Sequence, residues 1–237
     1  VEITLEGNAS LRVRAIDCVG YIVPSAIGYI EDEQPRMVKT PWFDDQIPFN
    51  LAAEIGTKKV ITDHSTIGLV ITTDGSISDI PREEYAEAEE RVINELKDIN
   101  KPFIVLLNSM YPQSAETVQL TQEIGSKYNV PVVAANCLEL DEIEIKKILA
   151  QILFEFSVKE IKVDMPKWVT SLEKNHWLKS SIYSAIEGTA AKVRKIREIQ
   201  LITQAANGCE NIQRAEVSSI DLGKGTARIA LSLDNSL

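Results

Sequence analysis

Three short apolar runs recur along this chain, and their spacing restricts the possible folds more than any other feature. They are Ile67-Gly68-Leu69-Val70-Ile71-Thr72-Thr73, Phe103-Ile104-Val105-Leu106-Leu107 and the stretch from Val130 to Ala135. Each has the length of a strand and lacks the polar alternation of a strand with one wet face. Helical patterns separate them. Arg82 to Ile99 and Ser114 to Tyr128 lie between the runs, and Leu140 to Phe156 follows the last. In that last helix Ile143, Ile145, Ile148, Leu149, Ile152 and Leu153 supply an apolar face. Buried strands joined by helical crossovers are the pattern of a mostly parallel sheet. Residues 1–156 are therefore expected to form a three-layer α/β domain.

Upstream, Glu2 to Leu5 and Leu11 to Ile16 alternate polar and apolar residues, and a hairpin about Gly7-Asn8 would join them. Asp17 to Pro48 reads as a long loop-rich stretch with five prolines and glycines as breakers: Pro24, Gly28, Pro35, Pro41 and Pro48. Phe49 to His64 reads as a helix. Residues 157–237 change character, which predicts a second, small α+β domain. Glu160 to Val163 is strand-like and stops before Pro166. Ser171 to Ala206 is helical, with a break expected near Gly188-Thr189 and a C-cap at Asn207-Gly208. Glu216 to Leu222 and Ala227 to Leu233 alternate around Gly223-Lys224-Gly225, a β-hairpin pattern.

Charge and cysteine usage exclude several functions. Lys plus Arg number 25 and Asp plus Glu 35, a net charge of −10. Phosphate backbones and anionic lipid both demand clustered positive charge, so nucleic acid is not an expected partner. Cys18, Cys137 and Cys209 are far apart and form no CxxC pair, which argues against a disulfide framework or a zinc site and favours a reducing compartment. No segment has the apolar length of a transmembrane helix.

The sharpest local motif is Asp17-Cys18-Val19-Gly20, after the apolar end of a predicted strand. In P-loop nucleotide hydrolases an Asp-x-x-Gly puts a carboxylate near Mg²⁺, usually through a water. Its glycine turns a backbone N–H toward the γ-phosphate, where a side chain would obstruct the approach. A strand end followed by a turn has the same appearance. Two strands later comes Asn108-Ser109-Met110-Tyr111. Guanine-binding enzymes carry Asn-Lys-x-Asp at that place, and the Asp accepts two hydrogen bonds from the base. Here Asn108 stays, Ser109 stands for the Lys and Tyr111 for the Asp. A phenol cannot be a bidentate acceptor, so guanine selectivity is expected to be absent and ATP becomes the fitting nucleotide. Asn108 also reads as a plain strand-end cap.

Other features have quieter readings. Ala134-Ala135-Asn136-Cys137 ends the third strand, where such enzymes place a short loop against the base. Thr72-Thr73-Asp74 reads as a turn on the rim of the sheet, where ligands bind, with a catalytic-loop contact as the alternative. His64 and His176 have no ligand neighbours and read as structural, with His176-Trp177 a packing anchor of the second domain. Trp42 reads as an interface aromatic in a mobile loop. Glu83-Glu84, Glu87 and Glu89-Glu90 read as a solvated helix face, and Lys192 to Arg197 as a self-assembly contact.

Together these residues resemble a known family. Asp17-Cys18-Val19-Gly20-Tyr21, Pro35-Arg36-Met37, Thr40-Pro41-Trp42, Ala53-Glu54-Ile55-Gly56-Thr57, His64-Ser65-Thr66-Ile67-Gly68, Ile71-Thr72-Thr73-Asp74-Gly75, Lys101-Pro102-Phe103-Ile104 and Asn175-His176-Trp177-Leu178 resemble the stage IV sporulation protein A family. These are spore-coat morphogenetic proteins of endospore-forming bacteria. The resemblance implies a P-loop GTPase-like three-layer sandwich that uses ATP with Mg²⁺. ATP hydrolysis would drive self-polymerisation into the coat's basement layer. The location implied is the mother-cell cytoplasm at the outer forespore surface. A small amphipathic peptide and other coat proteins are the implied partners. Asp17 would hold Mg²⁺ through water, Gly20 would meet the γ-phosphate and Asn108 would sit beside the base.

The chain also departs from the family. No Gly-Lys-Ser or Gly-Lys-Thr occurs, and Gly223-Lys224-Gly225-Thr226 sits on a hairpin with no helix after it. The chain opens on Val1 rather than Met and stops at Leu237, from which an internal portion lacking the N-terminal strand, the phosphate loop and the C-terminal region is expected. Such a chain alone is expected to show no ATPase activity. A catalytically inert scaffold on a degenerate nucleotide fold is the competing reading, and an ordinary GTPase a third.

Overall fold

The computed structural model describes residues 2–4 and 10–233. β1 (Glu2–Thr4) and β2 (Ser10–Arg12) pair as a ribbon, and the turn expected at Gly7-Asn8 lies outside the described residues. The strand expected through Ile16 stops at Arg12, and residues 13–20 have no regular structure. The alternation there is real, but a strand persists only where a neighbour pairs with it, and among the described residues the paired strand ends at Arg12.

The stretch expected to be loop-rich contains two short hairpins. β3 (Ile30–Glu31) pairs with β4 (Gln34–Pro35), and β5 (Met37–Thr40) with β6 (Phe43–Pro48), both antiparallel. Asp32 and Glu33 make the tight turn of the first with positive φ of 48° and 59°. α1 (Phe49–Lys59) then runs into a π-helical turn, Val60–His64. The ammonium of Lys101 closes that end by donating to the carbonyls of Ile61 and Ser65. A cation on exposed C-terminal carbonyls satisfies groups that no further turn of helix reaches.

Next come β7 (Gly68–Thr73), α2 (Arg82–Asp98), β8 (Phe103–Asn108), α3 (Ala115–Tyr128), β9 (Val132–Ala135) and α4 (Glu142–Phe154). The strands form one parallel sheet in the order β7-β8-β9, with Val70 opposite Val105 and Leu107 opposite Ala134. The alternation of helices and strands thus yields the mixed α/β architecture with a parallel sheet that the apolar runs imply. Phe103, Val105 and Leu107 face a core with Val70, Ile93 and Leu96 of α2, and Ile124 and Tyr128 of α3. On the other face Ile104 and Leu106 are equally buried, whereas Leu69 and Ile71 of β7 are exposed. Gly68 admits close packing, since a Cβ there would sit 3.0 Å from the Cβ of Phe103.

The contacts divide the chain into two compact units, with Ser10–Ile152 in one and Leu153–Leu237 in the other. The second contains β10 (Glu160–Asp164), α5 (Lys167–Ser171), α6 (Trp177–Ala190), α7 (Ile199–Asn207), β11 (Ile212–Asp221) and β12 (Thr226–Leu233). β12 is the central strand, parallel to β10 and antiparallel to β11. Its core gathers Val169, Leu178, Ile182, Ile199, Ile202 and Ile229.

Several local expectations change here. The helical break falls after Ala190 and before a short 3-10 turn at Ile196–Glu198, while Gly188 stays inside α6. One glycine in a helix costs only about 1 kcal/mol, which burial of Leu178 and Ile182 on the same helix outweighs. Gly208 ends α7 at φ −81°, without the left-handed turn that glycine C-caps often make. Trp177 is no anchor, being 60% exposed at the first position of α6. His176 instead caps that helix, its Nδ1 accepting the Leu178 N–H at 3.3 Å.

Candidate functional site

The carboxyl ends of β7, β8 and β9 converge on one rim, where ligands of open α/β sheets bind. Asp74 is its centre. Oδ1 accepts the Ser76 N–H at 2.9 Å and the Ser76 hydroxyl at 2.6 Å, and Oδ2 accepts the Thr117 hydroxyl at 3.0 Å. Thr117 also contacts the Ser109 and Ser114 hydroxyls, and Ser76 Oγ accepts the Met110 N–H at 2.9 Å. The residue read as a simple turn therefore ties the ends of β7 and β8 to the start of α3. Burial pushes the Asp74 carboxyl upward. Hydrogen bonds from Ser109, Ser76 and Thr117 outweigh that and hold it below its ordinary value. An acid depressed in the folded state stabilises above its unfolded pKa, and the contribution disappears as pH falls through the folded one. We expect Asp74→Asn to lower stability at neutral pH and to flatten the loss of stability on acidification below the ordinary Asp range. Urea midpoints measured across that range check this.

Asn108 ends β8. Its Oδ1 accepts the Cys137 N–H at 3.0 Å and so braces the loop after β9, while Asn136 Oδ1 accepts the Leu138 N–H. Burial raises the Cys137 thiol, which keeps it protonated beside that brace. Ser109 is fully buried and its Oγ accepts the Tyr111 N–H, so the Tyr111 backbone is tethered although the residue is 68% exposed. Met110 and Leu138 are exposed on the same two loops.

Thr72 accepts a hydrogen bond from Arg82 NH1 at 3.2 Å, and Arg82 NH2 lies 2.8 Å from Glu89. Glu89 is 5% exposed. The acidic run is thus not a uniform solvated face, because Glu89 turns inward to fix the arginine at the start of α2.

The two upstream residues stand elsewhere. Asp17 is exposed in irregular backbone, and its carboxylate has no hydrogen bond or ion pair among the described residues. Gly20 adopts φ +81°, and a Cβ there would meet nothing within 4 Å. Its N–H donates to Thr57 Oγ1 of α1 at 3.0 Å, and that hydroxyl lies 3.3 Å from the Gly20 carbonyl. Gly20 is thus tied to α1, and among the described residues no hydrogen bond joins Asp17 or Gly20 to Asn108. Just after Gly20, the Tyr21 phenol donates to Glu95 and its ring lies 4.1 Å from the Arg91 guanidinium. The Ser25 N–H and hydroxyl both bind Glu84 at 2.7 Å. Tyr21, Glu84 and Arg91, with Asn50 and Glu54, line a cavity of about 300 Å³.

In the second unit, sequence reasoning missed Glu155. Its side chain is wholly buried, with Lys195 Nζ at 2.6 Å and Arg197 Nε at 2.7 Å. Two residues of the basic stretch read as an assembly contact, Lys195 and Arg197, are therefore engaged with an internal carboxylate, while Lys192 and Arg194 are exposed. The Arg194 guanidinium likewise turns back onto the Ala191 carbonyl. No group of three or more His, Cys, Asp or Glu residues with metal-binding geometry occurs among the described residues. No described helix is long and apolar enough to cross a membrane.

Residues 1–157 match the family described as stage IV sporulation protein A, ATPase domain, and residues 158–237 its middle domain. The whole chain is 44% identical to stage IV sporulation protein A of Bacillus anthracis and 46% identical to that of Clostridioides difficile (strain 630), covering 48% of each. Over 98% of its length it is 43% identical to the Bacillus subtilis (strain 168) protein, covering 47% of it. The chain thus spans about half the length of these curated relatives. No solved structure matches it.

Proposed function

Because this chain belongs to the stage IV sporulation protein A family, with that family's ATPase domain over residues 1–157, we propose that it is part of an ATP-hydrolysing assembly protein of the spore coat. The intact protein would self-polymerise on the forespore surface as the coat's basement layer, in the mother-cell cytoplasm. A small amphipathic anchoring peptide and other coat proteins would be its partners there.

The observation that carries the nucleotide part is the Asn108 brace at the rim, with Tyr111 where a guanine acceptor would stand. Asn108 fixes the loop around Asn136 and Cys137, which would border the base. Gly20 has the open space that a close-approaching phosphate needs, and Asp17 has a carboxylate free for a hydrated cation. Asp17 and Gly20 would serve the cation and phosphate end of a Mg²⁺–ATP site and Asn108 its base end. Mg²⁺ would neutralise charge developing on the phosphates. For Gly20 to turn its N–H to a γ-phosphate, its hydrogen bond to Thr57 would have to be given up. The backbone cradle and lysine of a phosphate loop are not among the residues of this sequence, so Asp17, Gly20 and Asn108 position and do not suffice.

The inert scaffold keeps one specific support: the Asp74 rim is satisfied by protein hydroxyls, and the Gly20 N–H by Thr57. A binding titration of the intact protein separates the readings. ATP binding with no preference for GTP supports the proposal. A clear guanine preference would sink it in favour of a GTPase, and binding of neither would leave the scaffold.

A further inference from the structure

The ribbon of β5 and β6 is open on most sides. Phe43, Asp44, Asp45 and Gln46 are all exposed, so both faces of that part of β6 are uncovered. Met37 and Lys39 are exposed on β5. No third strand joins the ribbon among the described residues, so each strand keeps an outer edge of backbone N–H and C=O groups. A two-stranded ribbon alone is marginal in water. This one is held at its turn, where the Trp42 ring lies against Gly56 of α1 so closely that a Cβ there would sit 3.2 Å from it.

The two strands differ in charge. β5 carries Lys39, and Arg36 immediately precedes it, while β6 carries Asp44 and Asp45. Lys39, Asp44 and Asp45 have no ion pair among the described residues. Charges on a bare edge normally discourage pairing, and here they discourage only one kind. Setting β6 against β6 of a second copy brings Asp44 and Asp45 against their equals. Setting β5 against β5 does the same with Lys39. Only β5 against β6 brings unlike charges together.

We propose that the outer edge of β5 in one copy pairs with the outer edge of β6 in the next. The contact uses two different surfaces, so each added copy presents a fresh edge. Such head-to-tail pairing propagates into an open filament unless its rotation happens to close a ring. The inference rests on the self-assembly reading above and names its surface.

Reversing the charges in the intact protein tests it. Lys39→Glu makes both edges acidic, and Asp44→Lys with Asp45→Lys makes both basic. Each variant alone should lose about tenfold or more of the ATP-dependent polymer pelleted by centrifugation, because like charges then oppose each other at every junction. Mixing the two variants in equal amounts should restore pelleting, since each supplies the edge that the other accepts. Restoration also shows that both variants fold. Wild-type-like assembly of either variant alone, or a mixture that does not recover, overturns the proposal while the assembly reading stands. Failure of the unaltered protein to assemble overturns both.

Discussion

Replacing Lys195 and Arg197 together by Met is expected to cost the second unit about 3–5 kcal/mol, because it strands a fully buried carboxylate. Glu155 has no water of its own to fall back on, with 0% of its side chain exposed, whereas the two cations retain 32% and 30%. The asymmetry makes a second expectation. Glu155→Leu leaves both cations able to turn outward into water, and should cost only about 1–2 kcal/mol. Urea unfolding of the 237-residue chain, followed by a probe in the second unit, measures both. Equal losses for the two changes would mean that solvent reaches Glu155 and that the centre is a surface pair.

The second large effect concerns turnover. In the intact protein Asp17→Ala should slow phosphate release from ATP on the order of 100-fold, the scale for losing one electrostatic contact to a transferring phosphoryl group. The 237-residue chain by itself should release none, since its sequence holds no phosphate-loop lysine or Gly-Lys-Ser/Thr cradle. Unchanged turnover in the Asp17→Ala protein would refute the role given to that residue. Steady release by the isolated chain would refute the need for the cradle. The Asp17 carboxylate is exposed and has no ion pair among the described residues, so its loss should leave the urea midpoint of the chain unmoved. A turnover defect with unchanged stability is then chemical in origin.

The parallel sheet was readable because each strand is an uninterrupted apolar run, although only the central β8 is covered on both faces and β7 leaves Leu69 and Ile71 exposed. Phe103 to Leu107 is the clearest case, five residues all buried. The start of α3 was equally readable, with Ser114 at the N-cap accepting the Thr117 N–H. What escaped depends on partners distant in sequence. The alternation before Asp17 looks like a strand, yet a strand exists only where another edge accepts it, and among the described residues the paired strand ends at Arg12. Asp74 looked like a turn residue because its Thr117 partner lies on a different helix, beyond the reach of a local pattern. Glu155 has one weak signal, its position between Phe154 and Phe156 at the end of an apolar helix. Nothing near it announces that two cations some forty residues away are aimed at it.

The two sheets also differ in when they can come into being. In the first, β7 meets β8 and β8 meets β9, so every strand finds its neighbour one helix later. Such a sheet can be laid down in step with synthesis, each crossover closing a short loop. The second has its middle strand last. Glu160 of β10 waits for Thr226 of β12, which emerges only after α5, α6, α7 and β11. Until then Ile161 and Val163 have no neighbouring strand. A ribosome paused anywhere between β10 and β12 would therefore hold one sheet already formed and another that cannot begin, which makes that interval the stretch of translation where this chain most depends on protection from its own kind.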